Sequence, residues 1–167
     1  MHSVAWQAIS NIIVFSGVVV AVVTIIYNLR TARKTLTAHF LFESRTDKEY
    51  RDALYVLRLT HQSGKSFRSY VFPPLNTFVT DEDVAERRKF QYILNFYERV
   101  AISIKEGIYY EKMIKSTSYT TVIETWDIAE PFIRAIREKV NSETIYQEFE
   151  WLVNRWKKAP LKPTKYY

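Results

Sequence analysis

Three polar side chains are the strongest candidates for chemistry: Asn95, Glu98 and Arg137. On a helix with 100° between residues, Glu98 projects about 40° from Leu94 on an apolar face, and Arg137 projects about 60° from the centre of another. Two such helices packed together would hold an amide, a carboxylate and a guanidinium between them. A half-buried pair of this kind can act as a catalytic acid or base, or it can be structural. The structural interpretation is favoured because buried charges commonly satisfy one another, and the catalytic one stays open.

Two other motifs match a chemical site only in part. Residues 64–66 read Gly-Lys-Ser, the end of the phosphate loop G-x-x-x-x-G-K-[ST], but Leu59 replaces the leading glycine and a helix precedes instead of a strand. His39 and Glu43 lie four residues apart on a helix and could share a metal, but a site needs a third ligand. The sequence therefore predicts no catalytic residue, no metal, no cofactor and no identifiable small-molecule substrate.

The longest apolar stretch, residues 4–29, contains no Lys, Arg, Asp or Glu. A stretch of this length is typical of a membrane-spanning helix. Trp6 and Tyr27 would lie roughly 32 Å apart on it, at the two edges of a hydrocarbon core about 30 Å thick. The sequence therefore predicts one transmembrane helix with aromatic anchors at both interfaces.

Basic residues mark only one end of this span, since Arg30, Arg33 and Lys34 follow it directly and no lysine or arginine precedes it. The positive-inside rule predicts a single-pass membrane protein with the N-terminus outside and the C-terminal domain cytoplasmic. The three basic side chains are then expected at anionic lipid headgroups.

Small and polar residues recur along the span at alternating steps of four and three, which places them on one face of the helix. We call this face the seam, and its central members are Ser10, Gly17, Ala21, Thr24 and Asn28. Small residues let two helices approach closely within a membrane. The seam therefore predicts contact with another transmembrane helix, from a second copy or from a partner subunit.

The rest of the chain favours an all-α fold, a small cytoplasmic helical bundle. Only three glycines, five prolines and no cysteine are present, which disfavours hairpins and excludes disulfide and thiolate sites. The predicted division is residues 1–43 for the span and its extension, 44–158 for the helical domain and 159–167 for a basic flexible tail. The net charge of +6 permits nucleic acid as a partner, but no helix has a long basic face, so none is predicted.

Periodicity and capping residues outline the helices of the bundle. A break at 44–46 with a Thr46 cap should start one helix, and Thr80 should cap the next. That second helix should be central, with a stripe formed by Phe90, Leu94, Tyr97, Ala101, Ile104 and Ile108. A third helix is predicted over 118–140. Pro131 lies within it, so a kink or break is expected at 127–130, and Asn141 or Ser142 should cap the last helix.

Three segments that follow the N-terminal span resemble those of a known family: NFYERVAISIKEGIYYEKMI, FIRAIREKV and YQEFEWLVNRW. The chain resembles an uncharacterised bacterial group of single-pass membrane proteins, domain of unknown function 4760. The resemblance rests on Asn95, Glu98, Gly107, Trp126, Arg137 and Trp156. It implies a membrane-anchored helical domain and supplies no activity.

The sequence thus favours a non-enzymatic membrane-anchored helical interaction module, either an accessory subunit of a membrane complex or a self-associating scaffold. The alternative is a membrane-bound enzyme or nucleotide-responsive effector with its site around Glu98 and Arg137. A membrane-tethered nucleic-acid binder is a third hypothesis.

Overall fold

A computed structural model describes residues 2–163, with the side chains of residues 6–7 and 10–163. Over that part the chain contains helices and no strand, so the predicted all-α fold is confirmed. The elements are α1 His2–Thr46, α2 Lys48–Gln62, a 3₁₀ helix Phe67–Tyr70, α3 Asp81–Lys105, α4 Glu111–Val140 and α5 Gln147–Lys158. In the predicted flexible tail, residues 159–163 form no helix, and 164–167 lie outside the described residues.

The first helix, α1, runs without interruption from the apolar stretch into the bundle. Between Gly17 and Gly64 the sequence has neither glycine nor proline, so nothing disrupts the helical hydrogen bonds as the chain leaves that stretch. Residues Ser10–Thr46 are long and apolar enough to cross a membrane, and none of their most apolar part is buried within the molecule. The helix ends at Thr46, inside the predicted break.

The residue that caps α2 is Asp47, so the prediction of Thr46 is wrong by one position. Thr46 is the last residue of α1, and its hydroxyl donates to the Glu43 carbonyl at 2.9 Å. Asp47 has extended backbone angles, and its carboxylate accepts the N–H of Tyr50 at 3.1 Å. Both residue types cap helices well, and only the backbone conformation decides which one stands outside.

The third helix, α3, is central, as predicted, and packs against α2, α4, α5 and the 3₁₀ helix. Thr80 caps it as predicted, in a capping box with Asp83. The stripe residues up to Ile104 are buried. Ile108, predicted to continue the stripe, is 48% exposed instead, because α3 ends at Lys105 and Gly107 turns the chain with a φ of 67°.

The fourth helix, α4, starts at Glu111, seven residues before the predicted position, and runs past Pro131 to Val140. The predicted alternative of a break at 127–130 is therefore wrong. A proline removes one backbone hydrogen bond, but the residues around it are anchored in the core, where Ile128, Ala129, Phe132 and Ile133 are buried. Packing thus holds the helix together at a position that propensity alone would interrupt.

Asn141 ends α4, and neither it nor Ser142 caps the last helix, because Tyr146 occupies that position. This corrects the sequence-based assignment. The φ of 55° at Asn141 places it in the left-handed region, which asparagine tolerates at helix ends. The last helix, α5, starts only at Gln147 and lies in the core through Phe149, Leu152 and Trp156. The indole N–H of Trp156 donates to Glu111 at 3.0 Å, which ties the end of α5 to the start of α4.

Candidate functional site at the junction of α1 and the bundle

The first helix meets the bundle at the α3–α4 turn, residues 106–110, where Thr37 is completely buried. The Thr37 hydroxyl accepts the backbone N–H of Tyr110 at 2.8 Å and donates to the Arg33 carbonyl at 2.7 Å. The N–H of Tyr110 lies at the start of α4, where no helical carbonyl is available to it. One threonine therefore joins α1 to the first turn of α4.

The turn lies against α1 at Gly107, where the backbone conformation favours glycine. A Cβ at Gly107 would lie 3.5 Å from three atoms of the Arg33 guanidinium group, and its left-handed φ disfavours other residues. The ammonium group of Lys34 lies 5.6 Å from the centre of the Tyr110 ring, at cation–π distance. Two of the three residues predicted at headgroups, Arg33 and Lys34, thus contact the turn, and all three are exposed. Contact of any of the three with lipid stays a prediction.

Aromatic stacking extends the junction into the core. The Phe40 ring lies 5.6 Å from Phe96 and 4.8 Å from Tyr109, and Tyr50 in turn lies 4.6 Å from Phe96, centre to centre. The Tyr50 hydroxyl is hydrogen-bonded to that of Tyr97 at 2.8 Å. Each aromatic pair adds about 0.5–1.5 kcal/mol beyond its burial. The part of α1 that follows the apolar stretch is therefore part of the bundle's packing.

The seam lies on the other side of α1. Its five central residues are exposed, and a Cβ added at Gly17 would meet no atom within 4 Å. At 100° per residue, the bundle-facing residues Arg33, Thr37 and Phe40 project roughly 140–160° away from Gly17. The bundle therefore leaves the seam uncovered, and the packing of another helix on it stays a prediction.

Glu98, on α3, caps the start of α5 from a neighbouring helix. Its carboxylate accepts the backbone N–H groups of Glu148 at 3.3 Å and Phe149 at 2.7 Å. Tyr146, at the cap position itself, makes no side-chain cap bond. Burial raises the pKa of Glu98, although the two N–H groups favour its ionised form. An acceptor at this helix end is favourable because the first N–H groups of a helix have no partners within it.

Arg137 reaches the same end of α5 from α4. Its Nε donates to the Ile145 carbonyl at 2.9 Å, and its side chain is only 11% exposed. Its Nη2 lies 2.7 Å from Glu150, an ion pair in which the N–H is poorly aligned for a hydrogen bond. Glu98 and Arg137 thus meet at one helix terminus without a direct ion pair in the described part of the chain. Asn95 is exposed on α3, away from this contact.

Lys65 is engaged in ion pairs at the start of α3 and does not lie in a phosphate loop. Its ammonium group lies 2.7 Å from Asp83 and 2.9 Å from Glu86. Burial disfavours its charge, but hydrogen bonds to Asp83, Tyr70 and Glu86 raise the pKa of Lys65 overall. Among the residues that the structure describes, no group of three or more acidic or histidine side chains is placed to hold a metal.

An exposed apolar loop lies before the start of α3, at the opposite end of that helix from the α3–α4 turn, and the sequence contains little sign of it. Leu75 and Phe78 are 96% and 92% exposed. The loop borders a cleft of about 510 Å³ that is lined in part by Pro73, Val84 and Arg87. The pair of prolines at 73 and 74 was the only sequence signal, since proline stiffens a loop.

These features define a class of protein, a small helical bundle packed onto one face of a helix of membrane-spanning length. Residues 11–156 match the family described as Domain of unknown function (DUF4760), and the chain belongs to that family. No curated protein and no solved structure matches the chain. The matched region includes most of the apolar stretch, the junction and nearly all of the bundle.

Proposed function

We propose that this protein is a non-enzymatic, membrane-anchored interaction module that associates through its transmembrane helix, as a self-associating scaffold or an accessory subunit. One observation carries the proposal: the bundle packs on one side of α1 and leaves the seam open on the other. The seam contains residues small enough for close packing of helices within lipid. A second helix could therefore approach without meeting the bundle.

The charges beside the span support its placement in a bacterial inner membrane with the bundle in the cytoplasm. Arg30, Arg33 and Lys34 lie at the bundle side of the apolar stretch, and such residues are retained on the cytoplasmic side. Arg30 is exposed and available to anionic headgroups. The N-terminus would then lie outside.

The alternative of an enzyme or nucleotide-responsive effector around Glu98 and Arg137 has less support. Glu98 accepts two backbone N–H groups of α5, and Arg137 is paired with Glu150 and with the Ile145 carbonyl. Both side chains are engaged in holding α5. A catalytic group would need to be available to a substrate.

The proposal is tested by Gly17→Leu in the full-length protein, with Val19→Leu as the matched control on the opposite face. A Cβ added at 17 meets no atom of the bundle within 4 Å, so the larger side chain is expected to act mainly on a neighbouring helix. It should also favour membrane insertion, since leucine is more apolar than glycine. We expect Gly17→Leu to dissociate the assembly in mild detergent and to abolish energy transfer between labelled copies in vesicles, while Val19→Leu leaves both unchanged.

If the wild-type assembly is a complex with another subunit, mass spectrometry of the co-purified protein should identify it, and Gly17→Leu should release it. An assembly that survives Gly17→Leu would contradict the proposal. The span would then be only an anchor, and any association would come from the bundle.

A further inference from the structure

The α3–α4 turn is the end of the bundle nearest to the apolar stretch. α3 runs antiparallel to α1. Phe96 in α3 packs on Phe40, whereas Gly107, just beyond the end of α3, packs on Arg33, which is nearer the span. α4 then leads away again, and Thr117 shares a cleft with residues of α1 beyond Phe40. The turn between them is therefore directed towards the membrane whenever α1 spans it.

The distances place this turn at the lipid headgroups. Arg33 lies four residues beyond Leu29, the last residue of the apolar stretch, and six beyond Tyr27, the predicted interfacial anchor. These separations correspond to roughly 6 Å and 9 Å along the helix axis. The headgroup layer on each side of a bilayer is about 5–7 Å thick. Because the Arg33 guanidinium group packs on Gly107, the tip of the turn lies within or beside that layer.

The side chains of the turn suit this position. Ile108 is 48% exposed at the tip, where it left the buried stripe of α3. Tyr110 presents a partly exposed ring beside the Lys34 ammonium group, and Lys112 is exposed one residue into α4. An aliphatic side chain flanked by tyrosine and lysine is typical of residues at a bilayer surface.

We propose that the α3–α4 turn is a second, peripheral contact of this protein with its own membrane. Ile108 inserts at the boundary between headgroups and acyl chains, and Lys34 and Lys112 contact anionic headgroups. The proposal rests on the proposed function, because it requires α1 to span the bilayer. It adds a contact made by the bundle itself, which fixes the bundle's tilt against the membrane surface.

The absence of cysteine from the chain makes this contact measurable with single nitroxide labels. Ile108→Cys, Val20→Cys in the middle of the span and Phe78→Cys in the far loop are labelled in the full-length protein. Each is placed in nanodiscs of phosphatidylcholine with phosphatidylglycerol. All three native side chains are exposed, so the substitutions leave the packing intact. The readout is the collision rate of each label with oxygen, which concentrates in lipid, relative to a water-soluble nickel chelate.

We expect the ratio of oxygen to nickel collisions at Ile108 to be several-fold higher than at Phe78 and lower than at Val20. Replacing phosphatidylglycerol by phosphatidylcholine should lower the ratio at Ile108 only, because the attraction of lysine to the surface is lost. An Ile108 label that matches Phe78, with Val20 still deep in lipid, would overturn the peripheral contact and leave the anchor standing. A Val20 label exposed to the chelate would overturn the anchor itself. A ratio at Ile108 that is insensitive to anionic lipid would overturn the headgroup part of the proposal.

Discussion

Removing the Glu98 carboxylate should destabilise the bundle by releasing the start of α5. Glu98→Ala deletes the acceptor of two backbone N–H groups, those of Glu148 and Phe149. A hydrogen bond to a charged acceptor contributes about 1.5–3 kcal/mol, and the helix terminus adds about 0.3–1 kcal/mol. Because the site is half-buried, water replaces part of the loss, and we expect a net cost of about 2–3 kcal/mol. Arg137 keeps its pairing with Glu150, so the loss comes from the α5 amides.

The measurement is a thermal melt of the full-length protein in detergent, followed by tryptophan fluorescence. Trp126 packs edge-on against Phe149, 5.2 Å between ring centres, so its emission should report the detachment of α5. For a domain of this size, 2–3 kcal/mol corresponds to a decrease of roughly 5–10 °C in Tm. Glu98→Gln keeps one carbonyl acceptor and should lose about half as much.

The matched control is Asn95→Ala, one turn earlier on α3, where the side chain is exposed. Its Tm should stay within about 2 °C of the wild type, since exposed substitutions change stability by less than about 0.5 kcal/mol. An unchanged Tm for Glu98→Ala would refute the capping role. An equal loss for Asn95→Ala would show that the effect is not specific to the α5 terminus.

Three further predictions concern the junction, acid stability and orientation. Thr37→Val leaves the N–H of Tyr110 without its partner, so it should lower the free energy of unfolding by about 1–2 kcal/mol and speed amide exchange in the α3–α4 turn. The control Thr35→Val, at an exposed position, should change neither the stability nor the exchange rate. Folding lowers the pKa of Glu111, so the stability that this carboxylate contributes is present above about pH 4.5 and is lost as the pH falls. Glu111→Gln should therefore make the decrease of Tm in acid less steep. An unchanged slope of Tm against pH would contradict this. A reporter active only in the cytoplasm should work when fused after Tyr167, and activity of a periplasmic reporter there would reverse the orientation.

Local signals in the sequence predicted most of the helices correctly. The capping box at Thr80 and the apolar period from Phe90 to Ile104 depend on interactions within one helix, and both are observed. Pro131 and Asn141 led to wrong assignments because each residue type has more than one common role. Core packing keeps α4 helical through Pro131, and Asn141 adopts a positive φ at the end of α4 instead of capping the next helix.

The junction was missed because, in the sequence, its residues continue the helical pattern of the apolar stretch. Arg33, Thr37, Phe40 and Ser44 recur at steps of four, three and four, the same period as the seam, but on the opposite face. The polar types of the first two suggested solvent or headgroups. Their partner is Gly107 with its neighbours, more than sixty residues later, and no pattern within one helix indicates a contact at that separation.

Of the predicted polar cluster, Glu98 and Arg137 lie close together, whereas Asn95 is exposed, and the pairing was not predicted. Periodicity indicated that Glu98 and Arg137 face the interior, and both do so in part. Their partners are the backbone of α5 and Glu150, which depend on where α5 begins. Sequence reasoning started α5 about five residues too early, so its free N–H groups could not be assigned to Glu98.

Because α1 is continuous, the number of residues between the apolar stretch and the bundle sets the direction in which the bundle lies around the helix axis. Each residue added between Leu29 and Arg33 would turn the bundle about the axis of α1 by roughly 100° and lift it by only about 1.5 Å. Two added residues would swing it by roughly 200°, onto the side that the seam now occupies, at almost unchanged height. Seven would return it to nearly its present azimuth about 10 Å farther from the membrane. The length of the helix before Arg33 therefore sets both the direction and the height of the bundle. Short insertions change mainly the direction, and insertions of seven residues change mainly the height.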